Sequence, residues 1–321
     1  MKLKEILVFG ASGQIGRHLI RKLTKNNYKV VAVTRNIHQK GYILKTQANP
    51  GYLEIVELPY FNIEKINNLL EGCSICINLI GILFEKKKNS FKNIHTDFPD
   101  LLSKLSAKKN VEKLIHISSL GIEKSLDSHY AISKLNGENK VISNFERSIV
   151  LKPSVVYSVD DNFTTNFMTI LNRLPFMPLY YEGKTKFAPI HVTDLAQIIF
   201  DVAQEKVNEQ TIECVGPEIF SFKEIILKLL KSIDKKRLLI PLPLTLAKIT
   251  AKIFELMPNP LLTIDQLNLL KYDNIASGKY KTNFDLGIGA NRIFDKEIEK
   301  YSFNWREGGQ YSKDKFLNKN Q

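Results

Sequence analysis

Ile6-Leu7-Val8-Phe9-Gly10-Ala11-Ser12-Gly13-Gln14-Ile15-Gly16 is the stretch whose reading decides the fold. A short apolar run ends in a glycine-rich loop, and helical spacing then runs from Gly16 to Lys25. The three glycines answer separate physical demands: a tight turn at Gly10, close approach of backbone to a pyrophosphate at Gly13, and close helix packing at Gly16. The amide groups at the start of the helix would face the phosphates. The spacing is GxxGxxG, and a strand before it with a helix after it is the context that separates a phosphate cradle from ordinary turn glycines. Gly10, Ser12, Gly13, Gln14, Ile15 and Gly16 are therefore the candidate dinucleotide-binding residues of this loop.

Outward from that loop the first half alternates. Apolar strands are expected at 30–33, 75–80, 114–118 and 149–151, separated by helices at 63–70, opened by Asn62 as N-cap, and at 98–107 and 131–145. Strands that read as continuous apolar runs between amphipathic helices imply an α/β fold, a doubly wound parallel sheet of the Rossmann type covered on both faces. After Pro153 the rhythm changes. A helix is expected at 162–174, an apolar loop at 174–179, and a strand at 187–192 feeding a helix at 194–204 with Asp194 as its N-terminal acid. From Phe220 onward the chain reads as mostly helical, punctuated by Pro241, Pro243, Pro258 and Pro260. The expected organisation is an NAD(P)-binding domain over 1–155, with 187–205 returning to it, and a smaller, mostly helical substrate- or partner-binding cap over 156–321. Residues 238–257 are largely apolar, but Lys248, Lys252 and Glu255 form one polar face and Pro241 and Pro243 spoil the start, which argues against a spanning helix. An amphipathic helix is expected there, with Leu246, Ile249, Ile253 and Leu256 packed on its own cap; contact with a bilayer surface or a partner helix is the alternative.

The end of the second strand bears on cofactor choice. An acid there would accept hydrogen bonds from a ribose 2′-hydroxyl, whereas a cation accommodates a 2′-phosphate. The strand runs into Thr34-Arg35-Asn36 with no acid beside it, so Arg35 points to NADP(H) in preference to NAD(H). Further on, Ser118 ends a strand, and Tyr130 and Lys134 stand at i and i+4 on the helix that follows, sharing a face. A phenol of pKa near ~10 is a poor base at neutral pH, and a neighbouring ammonium favours its ionised form. Tyr130 could then exchange a proton with a carbonyl or alcohol oxygen, while Lys134 holds the nicotinamide ribose and Ser118 polarises the substrate oxygen. One strand earlier stands Asn78-Leu79-Ile80-Gly81, which adds Asn78 and Gly81 to the candidate cofactor-binding set.

Composition narrows the function classes. The 321 residues carry a formal net charge of +13. Only 8 of the 46 basic residues are arginine, and no arginine-rich stripe interleaved with aromatics marks a nucleic-acid reader. Residues 1–160 hold a net +10 and residues 161–321 a net +3, so the excess falls in the half with the glycine loop, where a positive field favours an anionic ligand. Cys73-Ser74-Ile75-Cys76 has CxxC spacing inside an apolar strand and reads as two core thiols. Three cysteines without a disulfide framework suit a reducing compartment, and the N-terminal apolar run is too short for a signal peptide, so a mature cytoplasmic N-terminus is expected. His116 on an apolar strand reads as a core residue; the other histidines show no ligand spacing, and no metal site is expected.

Taken together, Gly10 to Gly16, Asn78 to Gly81, Ser118, Tyr130 and Lys134 resemble the short-chain dehydrogenase/reductase superfamily in its extended or atypical branch. His116-Ile117-Ser118-Ser119-Leu120-Gly121, Tyr130 through Gly137-Glu138, Leu151-Lys152-Pro153-Ser154-Val155-Val156-Tyr157, the segment 183–196 and Pro260-Leu261-Leu262-Thr263-Ile264-Asp265-Gln266-Leu267 resemble one subgroup, which contains the NADPH-binding accessory subunit of respiratory complex I and its bacterial relatives. That resemblance implies a tightly bound NADPH with a structural role, partners in complex I or a quinone pathway, and a peripheral position on the inner face of the cytoplasmic or inner mitochondrial membrane. It also leaves a second function class, a free NADPH-dependent reductase, epimerase or dehydratase using Tyr130 and Lys134 on a small or lipid-like carbonyl compound. Two positions depart from the group: Leu58-Pro59 stands where many members carry Gly-Asp after the third strand, and Tyr157-Ser158 where extended enzymes commonly have Tyr-Gly.

Overall fold

Ile6, Leu7, Val8 and Phe9 have no exposed surface. A strand covered on both faces needs no polar alternation, which is why its run is continuously apolar. In the computed structural model, which describes residues 5–86, 89–204, 207–255, 260 and 262–313, they form β1 (Glu5–Phe9). The chain continues through α1 (Gln14–Lys25), β2 (Lys29–Thr34), α2 (Ile37–Lys45), β3 (Leu53–Glu57), α3 (Ile63–Leu69) and β4 (Ile75–Asn78). After a π-helical turn, Lys92–Asp97, come α4 (Phe98–Lys108), β5 (Lys113–Ile117), α5 (His129–Asn144) and β6 (Ser148–Pro153). Then follow β7 (Val156–Tyr157), α6 (Thr164–Arg173), β8 (Phe176–Leu179), β9 (Lys186–Phe187), β10 (Ile190–His191), α7 (Val192–Gln204) and β11 (Thr211–Cys214). The last elements are β12 (Phe220–Ser221), α8 (Phe222–Ser232), β13 (Leu238–Pro241), α9 (Leu244–Phe254), α10 (Ile264–Leu269) and α11 (Phe294–Ser302).

The described residues divide into two units. The first takes in Met1–Pro153, Val192–Cys214 and Ala276–Gly289. Its seven strands lie in the order β11-β6-β5-β4-β1-β2-β3, every neighbouring pair parallel. This is the doubly wound α/β sheet, and its strand order reverses between β1 and β4, where the carboxyl ends open a crevice. Phe9 of β1 pairs with Asn78 of β4, and Asn78 with His116 of β5, so one row of residues crosses the ends of three strands. Beneath it Phe98 packs edge-on against Phe9 and stacked on Phe61. Burying such a ring contributes roughly 1.5–3 kcal/mol.

In the first unit α2, β3 and β11 escape the sequence reading, and in the second β7, β12 and β13 do. The helix at 63–70 is consequently the third helix of the chain, not the second. β3 is an edge strand with half-buried side chains, and α2 carries Gly41 in its middle, so neither shows a clean period. Asn62 does cap α3, its side chain accepting the N–H of Lys65. Cys73, Cys76 and Cys214 are buried free thiols, and burial raises the pKa of each.

The second unit takes in Ser154–His191, Val215–Ile275 and Ala290–Gln321. Its core gathers Tyr157, Met168, Leu171, Met177, Phe187, Phe222, Ile226, Leu229, Phe294 and Ile298. The apolar loop expected at 174–179 is instead β8, paired in parallel with β13; Pro175, Pro178 and Pro241 hide this edge pairing from a propensity reading. The strand expected at 187–192 divides into β9 and β10, and α7 begins at Val192. Helix α9 corrects a second expectation. Ala247 and Ala251 are its buried residues, while Leu246, Ile249 and Ile253 stand 49%, 56% and 57% exposed. Leu256 lies outside the described residues.

Candidate functional site

Gly10 adopts φ +77°, a conformation that costs an L side chain dearly, and a Cβ there would come within 3.1 Å of Ile80 N. The turn after β1 therefore presses on the loop after β4. The Gly13 N–H donates to Gly10 O (3.0 Å), closing the turn, and Gly13 is the N-cap of α1 with no side-chain cap. A Cβ on Gly16 would lie 2.6 Å from Gly10 O and 2.7 Å from the Ala11 carbonyl carbon, so the helix seats itself only with glycine there. The first turn of α1 holds no acid. A helix N-terminus with neither a capping side chain nor a carboxylate, reached by bare glycine backbone, suits the pyrophosphate of a dinucleotide.

At the end of β2, the Thr34 hydroxyl donates to Ser12 Oγ (3.1 Å), which ties the glycine loop to the strand next to it. Arg35 is exposed and Asn36 caps α2, accepting from Gln39 N. Sheet pairing supplies a residue that linear reading missed: Glu57 of β3 lies across from Thr34. Its Oε1 accepts the Ile37 N–H (2.9 Å) at the start of α2. The carboxylate is thus spent on a helix N-terminus, where a negative charge is favoured.

The remaining candidates meet on α5. Lys134 is buried and donates to Ile117 O (2.9 Å). Burial lowers its pKa to about 8 against the opposing pull of Glu138. Gly81 is close enough that a Cβ would stand 3.6 Å from Lys134 Nζ and 3.8 Å from His95 Nε2. His95 accepts the Ile82 N–H at Nε2 (3.1 Å), so its proton sits on Nδ1, 3.0 Å from Ser133 Oγ; that hydroxyl donates to the Tyr130 carbonyl (2.8 Å). Burial, then Lys134 and His116, bring the His95 pKa down to about 2, which keeps the ring neutral. The Tyr130 ring meets His95 and Phe91 edge to face at 5.2 and 5.8 Å.

Asn78 is buried at the end of β4; its Oδ1 accepts the Ile80 N–H, so Nδ2 donates to His116 Nδ1 (3.1 Å). The His116 proton then resides on Nε2, a buried atom with no partner among the described residues. His116, read as a core residue, is buried, and burial followed by the Lys134 charge lowers its pKa to about 3.

Ser118 is buried directly after β5. Its hydroxyl donates to Glu138 Oε2 (2.9 Å) inside the unit, so its one proton is committed and only its oxygen lone pairs remain to be offered. Glu138 Oε1 in turn meets Lys152 Nζ at 3.1 Å, and Lys152, with no exposed surface, also pairs with Glu123 and lies 5.3 Å from the centroid of the Tyr280 ring. Burial raises the Glu138 pKa, with Lys152 and Ser118 pulling it back. The fold thus gathers the glycine loop, Asn78, Gly81 and Lys134 with His95 and His116 around the ends of β1, β4 and β5, and places Ser12 and Arg35 at the end of β2. His95, Glu57, Glu138 and Lys152 were not foreseen as parts of this arrangement; only strand register and packing reveal them.

The sequence profile of the NAD dependent epimerase/dehydratase family matches residues 6–215. Over 283 residues the chain is 25% identical to the mitochondrial NADH-ubiquinone oxidoreductase 40 kDa subunit of Neurospora crassa, covering 88% of this chain and 74% of that one. It is also 25% identical over 315 residues to the mitochondrial NADH dehydrogenase (ubiquinone) 1 alpha subcomplex subunit 9 of Arabidopsis thaliana, covering 94% of this chain and 78% of that one. Among solved structures it is similar to the UDP-glucuronic acid 4-epimerase of Bacillus cereus in complex with UDP-glucuronic acid and NAD, with a TM-score of 0.69 at 19% identity over 94% of this chain and 99% of the other. At that identity the likeness is one of fold.

Proposed function

The chain belongs to the NAD dependent epimerase/dehydratase family, and from that premise we propose that it is an accessory or assembly component of the membrane-bound NADH–ubiquinone oxidoreductase, respiratory complex I, which keeps NADP(H) as a structural element. One observation carries this reading above the others. The family profile ends at residue 215, yet similarity to the oxidoreductase subunits runs over 88–94% of the chain and so takes in most of the second unit. Function resides in sites carried on a fold and not in the fold itself, so likeness that extends beyond the family profile speaks to role rather than to cofactor alone.

In this reading Gly10, Ser12, Gly13, Gln14, Ile15 and Gly16, with the N-terminus of α1, hold the pyrophosphate. Arg35, which follows the Thr34 that bonds Ser12, takes the 2′-phosphate, and Glu57, already bonded to Ile37 N–H, does not compete for a ribose hydroxyl. Asn78, Gly81 and Lys134 hold the nicotinamide end, and the cofactor would supply a hydride if the site turned over. The commitment of the Ser118 proton to Glu138 supports a holding site, because it withdraws the expected donor to a substrate carbonyl.

A second reading, a free NADP-dependent reductase, draws on Tyr130 and Lys134. An ammonium whose pKa lies at about 8 can share protons at neutral pH, and the Tyr130 ring is held by His95 and Phe91. Fractionation of native membranes followed by co-purification separates the two. The accessory reading expects recovery with NADH–ubiquinone oxidoreductase subunits; recovery solely as a free protein whose NADPH consumption is lost in Tyr130→Phe supports the reductase instead.

A further inference from the structure

Helix α9 of the second unit presents its large aliphatic side chains outward. Its inner contacts are the small Ala247 and Ala251, which pack with Tyr180 and Leu267. At 3.6 residues per turn, Leu246, Ile249 and Ile253 fall within a sector of about 60° on the opposite side of the helix. The adjoining sector holds Lys248 and Lys252, both exposed. No acidic residue occurs within Leu244–Phe254. Upstream, β13 leaves Leu238 66% and Ile240 38% exposed, directly after Lys235-Lys236-Arg237.

We propose that α9 is an interfacial helix, which lays the Leu246–Ile249–Ile253 stripe into the surface of an anionic bilayer while Lys248 and Lys252 pair with lipid headgroup phosphates. A folded chain gains nothing from aliphatic side chains in water, and three on one stripe beside two lysines reproduce the pattern of helices that lie in the membrane plane. The charge complements an anionic surface, since lysines beside the stripe bury their methylene stems while their ammonium groups reach the headgroups. A protein partner would have to cover on the order of 800 Å² on this side, and such cores are depleted in lysine. No helix of the described residues is long and apolar enough to cross a membrane, so the contact is with one leaflet.

The test uses the full chain and extruded vesicles without any respiratory protein, so its outcome is independent of the accessory-subunit reading. Co-sedimentation with vesicles of phosphatidylcholine and phosphatidylglycerol is expected, with much weaker binding to phosphatidylcholine alone and release at high salt. Ile249→Ser with Ile253→Ser, and separately Lys248→Gln with Lys252→Gln, should each lower partitioning by about tenfold or more. All four positions are exposed, so both variants should keep the wild-type melting curve, which far-UV circular dichroism checks. Failure to bind anionic vesicles, or binding that the isoleucine variant leaves unchanged, overturns the proposal. So does a concentration-dependent dimer that the same variant dissolves, because the stripe would then be a contact between copies of the chain.

Discussion

Replacing Lys152 by methionine probes the buried charges behind Ser118. Lys152 Nζ stands between the carboxylates of Glu138 and Glu123 and beside the Tyr280 ring, with no exposed surface. Methionine keeps the apolar stem and deletes the cation, leaving the Glu138 carboxylate 2% exposed. Breaking a buried pair from one side costs about 3–5 kcal/mol, because the surviving charge loses its compensation. Glu138 has an escape. Burial already holds its pKa above the ordinary carboxyl range, and Lys152 is the largest influence pulling it back, so in the variant it rises further and the group takes up a proton. The sign follows: with the folded pKa above the unfolded one, the native state binds more protons between the two values, and stability falls as pH rises through that window. The deficit of Lys152→Met relative to wild type is therefore smallest at acidic pH, where Glu138 is protonated, and grows as pH rises through that window, toward about 3 kcal/mol. Urea unfolding followed by far-UV circular dichroism at several pH values measures it, with equal m-values as the condition for comparing midpoints. A deficit below about 1 kcal/mol that does not change with pH would show that Glu138 is not the group left uncompensated.

Gly16→Ala drives a methyl group into the Gly10 and Ala11 carbonyls, so it should destabilise the fold by about 1–3 kcal/mol and abolish NADPH binding in a fluorescence titration. Arg35→Ala should weaken NADPH by about tenfold and leave NADH unchanged; equal losses for both would remove the 2′-phosphate role. Lys134 has a folded pKa of about 8, below its unfolded value, so the native state binds fewer protons in between and stability should rise with pH from about 8 toward 10.5, by at most about 3 kcal/mol. Lys134→Met should lack that rise and be the more stable protein at neutral pH, as urea titrations at pH 7 and above would show.

The nucleotide half of this molecule is legible because its chemistry is local. Gly10, Gly13 and Gly16 stand in one turn, and the strand before them and helix after them can be read from a dozen residues. What linear reading misses is brought together by register. Glu57 meets Thr34 only because β3 pairs with β2, and Ser118 finds Glu138 only because α5 packs against β6, the strand beside β5. His95 has no ligand spacing in the sequence, yet the π-helical turn sets it between Ile82 and Ser133. Helix α9 shows a different limit. Its pattern correctly announces two faces, but burying the larger residues is only a tendency, and here alanine faces the core. The β8–β13 pair was hidden by prolines that edge strands tolerate.

The role proposed for this fold is that of a dinucleotide-holding part of a respiratory assembly. Its most direct test is the NADPH content of the species that carries the chain after mild detergent solubilisation and native electrophoresis of the source membranes. Comigration with NADH–ubiquinone oxidoreductase activity and stoichiometric NADPH are expected, both lost together with the chain's incorporation in Gly16→Ala. A chain found only as a free species, or incorporated without any dinucleotide, would contradict that role.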